Sequence, residues 1–273
     1  MQQFPISPRA FLASAWTHRG LIAALTRREV VGRYHGSMLG LAWSFFNPLL
    51  MLAVYTFVFS EVLKVRWTGG VAESRTDFAI ILFAGLIVFG IFAECVNRAP
   101  TLVLSNPNYV KKVVFPLEIL PWVALGSALF HAVVSLAALL LVELWYRQSV
   151  PWTAFAFPLM LVPLLLFAMG LAWLLASLGV FLRDVGQVIG VLTTVLMFVS
   201  PIFYPEASLA PKYREWLQWN PLTFVIEESR NALIFGLAPD WAQWAWLLAA
   251  SLAVAWAGFA WFQKTRRGFA DVM

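Results

Sequence analysis

Few residues in this chain could do covalent or metal chemistry, and their spacing does not bring them together. The three histidines, His18, His35 and His131, are scattered, and Cys95 is the single cysteine. Neither paired cysteines nor an HExxH stretch offers a metal site. No GxxxxGKS or GxxxxGKT stretch occurs, so the chain lacks that kind of loop for cradling ATP phosphates. Glu94, Glu118 and Glu143 fall near the ends of apolar segments. A carboxylate there can meet water or tie two helices together, and intramembrane acids also serve as proton relays. Arg183 and Asp184 read as a local charge pair of little weight. A membrane-embedded enzyme would need acidic or histidine residues clustered at one face, and the sequence shows no such cluster.

The residues that do recur are aromatic and basic. Trp43, Phe45, Phe46, Tyr55, Phe57 and Phe59 crowd one apolar segment, and Phe198, Phe203 and Tyr204 mark another. Aromatic belts and lipid-facing positions explain many of them. Aromatic faces also stack on the apolar faces of sugar rings, so an aromatic-lined conduit would suit a carbohydrate chain better than a small ion.

The elements that carry these residues follow from composition. Of 273 residues, 61% are hydrophobic and 12% charged, with a mean hydropathy of +0.78. Soluble domains run near ~25% charged, and here the apolar residues come in long blocks. The chain reads as an all-α polytopic membrane protein. The net charge of +5 belongs to membrane-flanking loops rather than to a nucleic-acid footprint. The start, MQQFPISPRAFLASAW, does not read as a cleaved signal peptide. Six segments are candidate transmembrane helices, at about 39–63, 78–96, 117–145, 153–182, 185–203 and 241–262. Lys and Arg favour the side that holds both termini, which predicts cytoplasmic ends. Ala168, Ala172 and Ala176, then Gly186 and Gly190, mark small-residue packing seams, either internal or between two copies.

Three stretches are neither spans nor short loops. Residues 1–38 form an interfacial helix and hinge ahead of the six-span unit 39–273, with Phe11, Leu12, Ala15, Trp16, Ile22 and Leu25 near helical spacing. Gly32, Gly36 and Gly40 let the chain turn upward and allow close packing. Residues 97–116 hold a short two-faced helix, capped at Ser105 or Asn106, opened by Pro107 and stopped by Pro116. Tyr109, Val110, Val113 and Val114 fall on one side of it, Lys111 and Lys112 on another. Such a loop fits either lipid phosphates or a docked cytoplasmic partner. Residues 204–239 contain two short apolar pieces interrupted by Glu227, Glu228 and Arg230. They fit a re-entrant helical hairpin between spans five and six, or two helices lying flat. A charged turn at depth requires water or protein around it.

Several of these stretches resemble one family. RREVVGRYHGSMLGLAWSFFNPLLMLAVYTFVFS is similar to the start of the membrane permeases of type-2 ABC exporters for polysaccharides. SNPNYVKKVVFPLEILP resembles that family's cytoplasmic coupling loop. SPIFYP and WNPLTFVIEESRNALIFG resemble its fifth span and re-entrant gate. The resemblance covers nearly the whole chain and is closest to the O-antigen permeases, with teichoic-acid and capsule exporters as near relatives. It implies a non-enzymatic homodimer in the bacterial cytoplasmic (inner) membrane, with both termini cytoplasmic. It further implies two copies of a separate nucleotide-binding ATPase, which hold ATP and Mg while this chain holds no cofactor. The implied substrate is an undecaprenyl-linked glycan, O-antigen or a related polymer. By matching position, Arg27, Arg28, Arg33, Asn106, Pro107, Tyr109, Lys111 and Lys112 would couple to the ATPase. Trp43, Phe46, Tyr55, Phe59, Phe198, Phe203 and Tyr204 would line or flank the conduit, and Glu227, Glu228 and Arg230 would stand at the external gate. A drug or lipid exporter of the same fold, a passive channel and a membrane-embedded glycan-modifying enzyme are the competing readings.

Overall fold

The computed structural model describes residues 5–58, 75–111 and 115–273, and among these every regular element is helical. The order is α1 (Pro8–Thr17), α2 (Arg19–Tyr34), α3 (Trp43–Thr56), α4 (Arg75–Arg98), α5 (Pro107–Lys111), α6 (Leu120–Arg147), α7 (Phe157–Phe181), α8 (Val185–Val199), α9 (Pro211–Gln218), α10 (Pro221–Arg230), α11 (Trp241–Thr265) and α12 (Phe269–Val272). A π-helical turn, Asn231–Phe235, extends α10.

Four helical stretches are long and apolar enough to cross a membrane: Thr76–Thr101, Leu117–Arg147, Trp152–Phe181 and Trp241–Val272. They match the second, third, fourth and sixth expected spans. The first and fifth correspond to shorter apolar helices, Gly40–Thr56 and Val185–Val199. The remainder of the first lies outside the described residues from position 59. The fifth ends earlier than expected because Ser200 precedes Pro201. A residue before proline is driven out of the helical region, and Ser200 is extended at φ −72°, ψ 150°.

Two polar levels bracket the bundle. At one end Arg147 of α6 pairs with Asp77 of α4 at 2.8 Å. At the other, His131 of α6 meets Glu94 of α4 at 2.8 Å. Asp77 and Glu94 are about 25 Å apart along α4 at ~1.5 Å per residue, close to the ~30 Å hydrocarbon thickness. The apolar length between these levels is what a bilayer would cover. Both described chain ends lie toward the His131 level, here called the terminal end: Phe11 of α1 packs beside Trp122 of α6, and Phe269 of α12 against Phe181 of α7.

The α7–α11 pair is the tightest seam. Ala168, Ala172 and Ala176 are fully buried on the other side of α7 from the Gly170 that meets α11. A Cβ at Gly258 would overlap the Gly170 carbonyl, so only glycine lets the two backbones approach this closely. The expected seam at Gly190 is different, since among the described residues nothing lies within 4 Å of a Cβ built there. On α8, Val188, Val191, Val195 and Phe198 are exposed, so that side of the helix has no partner among the described residues.

The single interfacial helix expected near the start is two helices broken at His18. Ser7 caps α1 by accepting a hydrogen bond from the Ala10 amide at 3.2 Å. Phe11 inserts among Trp122, Trp173 and Phe259, with ring centroids 5.3–5.9 Å apart. Leu25 of α2 packs on Ile119 and Val123. Gly36 (φ +83°) and Gly40 (φ +52°) take left-handed backbone and turn the chain into α3. The close packing expected at Gly32, Gly36 and Gly40 is not made among the described residues, for nothing there lies within 4 Å of a Cβ at any of them.

Candidate functional site

Three groups of side chains carry the chemistry of this bundle. The first is at the terminal end, where α2, the loop with α5, and α6 meet. Arg28 donates through Nη2 to the Tyr109 hydroxyl at 2.9 Å. The Tyr109 ring stacks on Phe115 at 4.2 Å and 12°. A bond between residues this far apart in sequence ties the interfacial helix to α5. Pro107 opens α5, as the sequence predicts. The expected side-chain cap is not formed. Asn106 turns its Nδ2 back to the Leu102 carbonyl at 2.9 Å, and the Ser105 hydroxyl donates to Thr101 at 2.7 Å. The two therefore finish the helical turns after α4 rather than start α5. Lys111 is exposed, while Lys112, Val113 and Val114 lie outside the described residues.

Next to it stands a charged network that spacing alone did not reveal. Glu94 accepts from Arg33 Nη2 at 2.7 Å and from His131 Nδ1 at 2.8 Å. Tyr34 meets His131 Nε2 at 3.0 Å. The tautomer that satisfies both ring nitrogens carries its hydrogen on Nδ1 and accepts the Tyr34 hydroxyl hydrogen at Nε2. Burial pushes the Tyr34 phenol above its usual range, with Arg33 opposing and Glu94 adding. Arg98 pairs with Glu29, and lies 3.7 Å from Glu94. Glu94 thus has the helix-pairing role considered for it from sequence. His131, Glu29 and Arg98 are members that sequence reasoning missed. Arg27, expected beside the coupling loop, instead borders a groove between α2 and α6. Three arginines of one helix therefore have three different surroundings.

The second group is aromatic, where α3 approaches the end of α8. Tyr55 lies 6.0 Å from Phe203, and Phe203 lies 5.5 Å from Phe198. Tyr204 donates to the Val199 carbonyl at 2.6 Å. The structure brings these four expected residues together. Trp43 and Phe46 are exposed near the start of α3, away from that cluster. Phe59 lies outside the described residues.

The third group is α10 and the turns around it. Arg230 is fully buried. Its guanidinium donates to the carbonyls of Ile81 (3.0 Å), Pro201 (2.6 Å) and Ile202 (2.8 Å) and to Glu227 (3.2 Å). Ser200 accepts from Asn220 at 2.9 Å, and Asn220 caps α10 at Leu222. The stretches SPIFYP and WNPLTFVIEESRNALIFG are thus bonded to one another. Glu228 accepts from Asn231 and from the Asp240 amide, each at 3.1 Å. Arg147, besides Asp77, donates to the Ile234 carbonyl at 3.1 Å. Glu227, Glu228 and Arg230 are each met by protein groups. α9 is different: only Leu217 is buried, and Tyr213, Trp216 and Trp219 are exposed.

Of the remaining sequence-predicted acids, Glu118 pairs with Arg266 of the last helical turns. Glu143 is buried, with Arg147 3.9 Å away and no hydrogen bond to either oxygen. The charge pair expected at Arg183 and Asp184 is not formed. Both are exposed, and Asp184 occupies the N-cap of α8 without a side-chain bond. Among the described residues no group of three metal-ligating side chains converges.

Comparison with known proteins bears on the whole of this arrangement. The chain is 28% identical over 258 residues to the O-antigen export system permease protein RfbA of Myxococcus xanthus, covering 94% of this chain and 96% of that protein. It is 25% identical over 242 residues to the polysialic acid transport protein KpsM of Escherichia coli, covering 88% and 91%. It is 27% identical over 227 residues to the capsule polysaccharide export inner-membrane protein CtrC of Neisseria meningitidis, covering 81% and 82%. Residues 20–234, from α2 through the π-helical turn, match the family described as ABC-2 type transporter, and the chain belongs to that family.

Proposed function

We propose that this chain is the membrane permease of an ATP-driven exporter of a lipid-linked polysaccharide of the O-antigen kind. Two copies form the conduit, and two cytoplasmic nucleotide-binding subunits supply the energy. The terminal end is the cytoplasmic one in this reading, in a bacterial inner membrane, with six spans and α10 as the re-entrant element. The observation that carries it is the link from Arg28 of α2 to Tyr109 of α5. It makes the interfacial helix and the coupling loop one mechanical unit beside the exposed Lys111. A partner pressing on α5 would move α2, and would load the spanning helix α4 through Arg33 on Glu94 and Glu29 on Arg98.

The aromatic cluster of Tyr55, Phe198, Phe203 and Tyr204 supports a carbohydrate cargo, since such rings stack on sugars. The exposed α8 face supports pairing with a second copy. The relatives' names include both O-antigen and capsule transport, so export of a capsule polymer is the second reading. All the relatives named above are transport proteins, which favours transport over lipid-sugar enzymology. The test is Tyr109→Ala with Lys111→Ala, expressed with the native nucleotide-binding subunit. Surface glycan should be lost while the permease stays folded and membrane-inserted. Normal export by that variant would overturn the assignment of α5.

A further inference from the structure

A groove of about 760 Å³ runs between α2 and the first turns of α6, within the ~300–1,000 Å³ range of small-molecule sites. Ile22, Val30, Val31, Leu41 and Phe130 make its lining apolar, and Arg19 and Arg27 border it. Arg19 donates one nitrogen to the Trp16 carbonyl and lies 5.0 Å over that ring. Arg27 forms no ion pair or hydrogen bond among the described residues. No carboxylate lines the groove.

Two lining residues carry a buried polar atom without a partner, Thr26 Oγ1 and Trp122 Nε1. A helical threonine ordinarily donates back to the carbonyl four residues earlier. Thr56, Thr193, Thr194 and Thr265 of this chain all do so, at 2.7–2.9 Å. Thr26 does not. It faces Gly126, where an added Cβ would come within 2.7 Å of its hydroxyl. The groove runs along α6 from Trp122 to Phe130, next to His131, so it lies at the polar level of the bundle's terminal end. In the membrane placement proposed above, on which this inference rests, that level meets the phosphates and glycerol esters of the cytoplasmic leaflet.

We propose that this groove is a binding site for one anionic glycerophospholipid. The apolar lining holds an acyl chain, and Arg27 and Arg19 hold the phosphate. The complementarity is in the charge: the two charged side chains bordering the groove are both cations, and a phospholipid's phosphate is an anion. The lipid would act as a wedge that sets how closely α2 lies on α6, independently of which polymer is exported.

The experiment is native mass spectrometry of the permease in complex with its nucleotide-binding subunit, titrated with dioleoyl phosphatidylglycerol or dioleoyl phosphatidylcholine. The wild type should retain one phosphatidylglycerol per protomer in preference to phosphatidylcholine. Arg19→Gln with Arg27→Gln should lower that affinity about 30-fold, from two headgroup-level cations. Ala23→Trp, which fills the groove from its exposed side, should abolish retention of both lipids while size exclusion and melting temperature stay normal. Equal affinity of the wild type for the two lipids would overturn the proposal. So would undiminished phosphatidylglycerol binding in both variants. Tighter retention of undecaprenyl phosphate than of phosphatidylglycerol would overturn it too, giving the groove to a polyprenyl lipid instead.

Discussion

Replacing Arg230 tests whether the clamp around α10 holds the bundle together. In Arg230→Met the side chain keeps most of its length and loses every donor. The Ile81 carbonyl lies inside α4, where a helical amide already serves it, so its loss is small. The Pro201 and Ile202 carbonyls, bonded at 2.6 and 2.8 Å, are left buried without those donors. Each orphaned acceptor costs about 1–3 kcal/mol. Glu227 loses its cation too, but that side chain is 28% exposed, so water offsets part of the charge. The sum is about 4 kcal/mol, against ~5–15 kcal/mol for a typical fold. It should lower the melting temperature by about 8–16 °C, read by fluorescence-detected size exclusion of heated detergent samples. A second arm uses Gly85, where an added Cβ would come within 2.7 Å of Arg230 Nη2. Gly85→Ala should destabilise the wild type yet cost little in the Arg230→Met background, because its clash is then gone. A melting temperature for Arg230→Met within about 3 °C of wild type, or strict additivity of the two changes, would refute the clamp.

Three further outcomes follow from other contacts. Gly258→Ala forces a methyl into the Gly170 carbonyl and should strongly reduce folded permease, whereas Gly190→Ala meets open space and should be neutral or stabilising by about 0.5–1 kcal/mol; equal yields of the two would contradict the seam. Glu94→Gln weakens the ties to Arg33 and His131 and should speed amide exchange in α2 about tenfold; unchanged protection would mean the network does not hold that helix. Tyr109→Phe removes the Arg28 bond and keeps the Phe115 stack, so export per ATP hydrolysed should fall with no loss of thermal stability, and Arg28→Ala should add nothing further to it.

What the sequence determined is what a short stretch can encode locally. Apolar runs of membrane length place α4, α6, α7 and α11, because the backbone of a lipid-covered segment must satisfy itself as helix. Gly36 and Gly40 mark the turn into α3, because only glycine takes left-handed backbone without strain. Pro107 opens α5 for a similarly local reason. The partners of the charged residues were not legible. Nothing in the spacing of RREVVGR shows that Arg28 meets Tyr109, that Arg33 meets Glu94 or that Arg27 meets neither. The sequence left open whether water or protein would meet Arg230, and the fold wraps carbonyls from α4 and the end of α8 around it. Periodicity could not separate core from lipid either. α7 is apolar all round, and a bilayer and a protein interior ask the same polarity of a side chain. Which face of α7 meets α11, and which face of α8 stays bare, is decided by close packing between segments far apart in the chain, and that exists only once the helices are assembled.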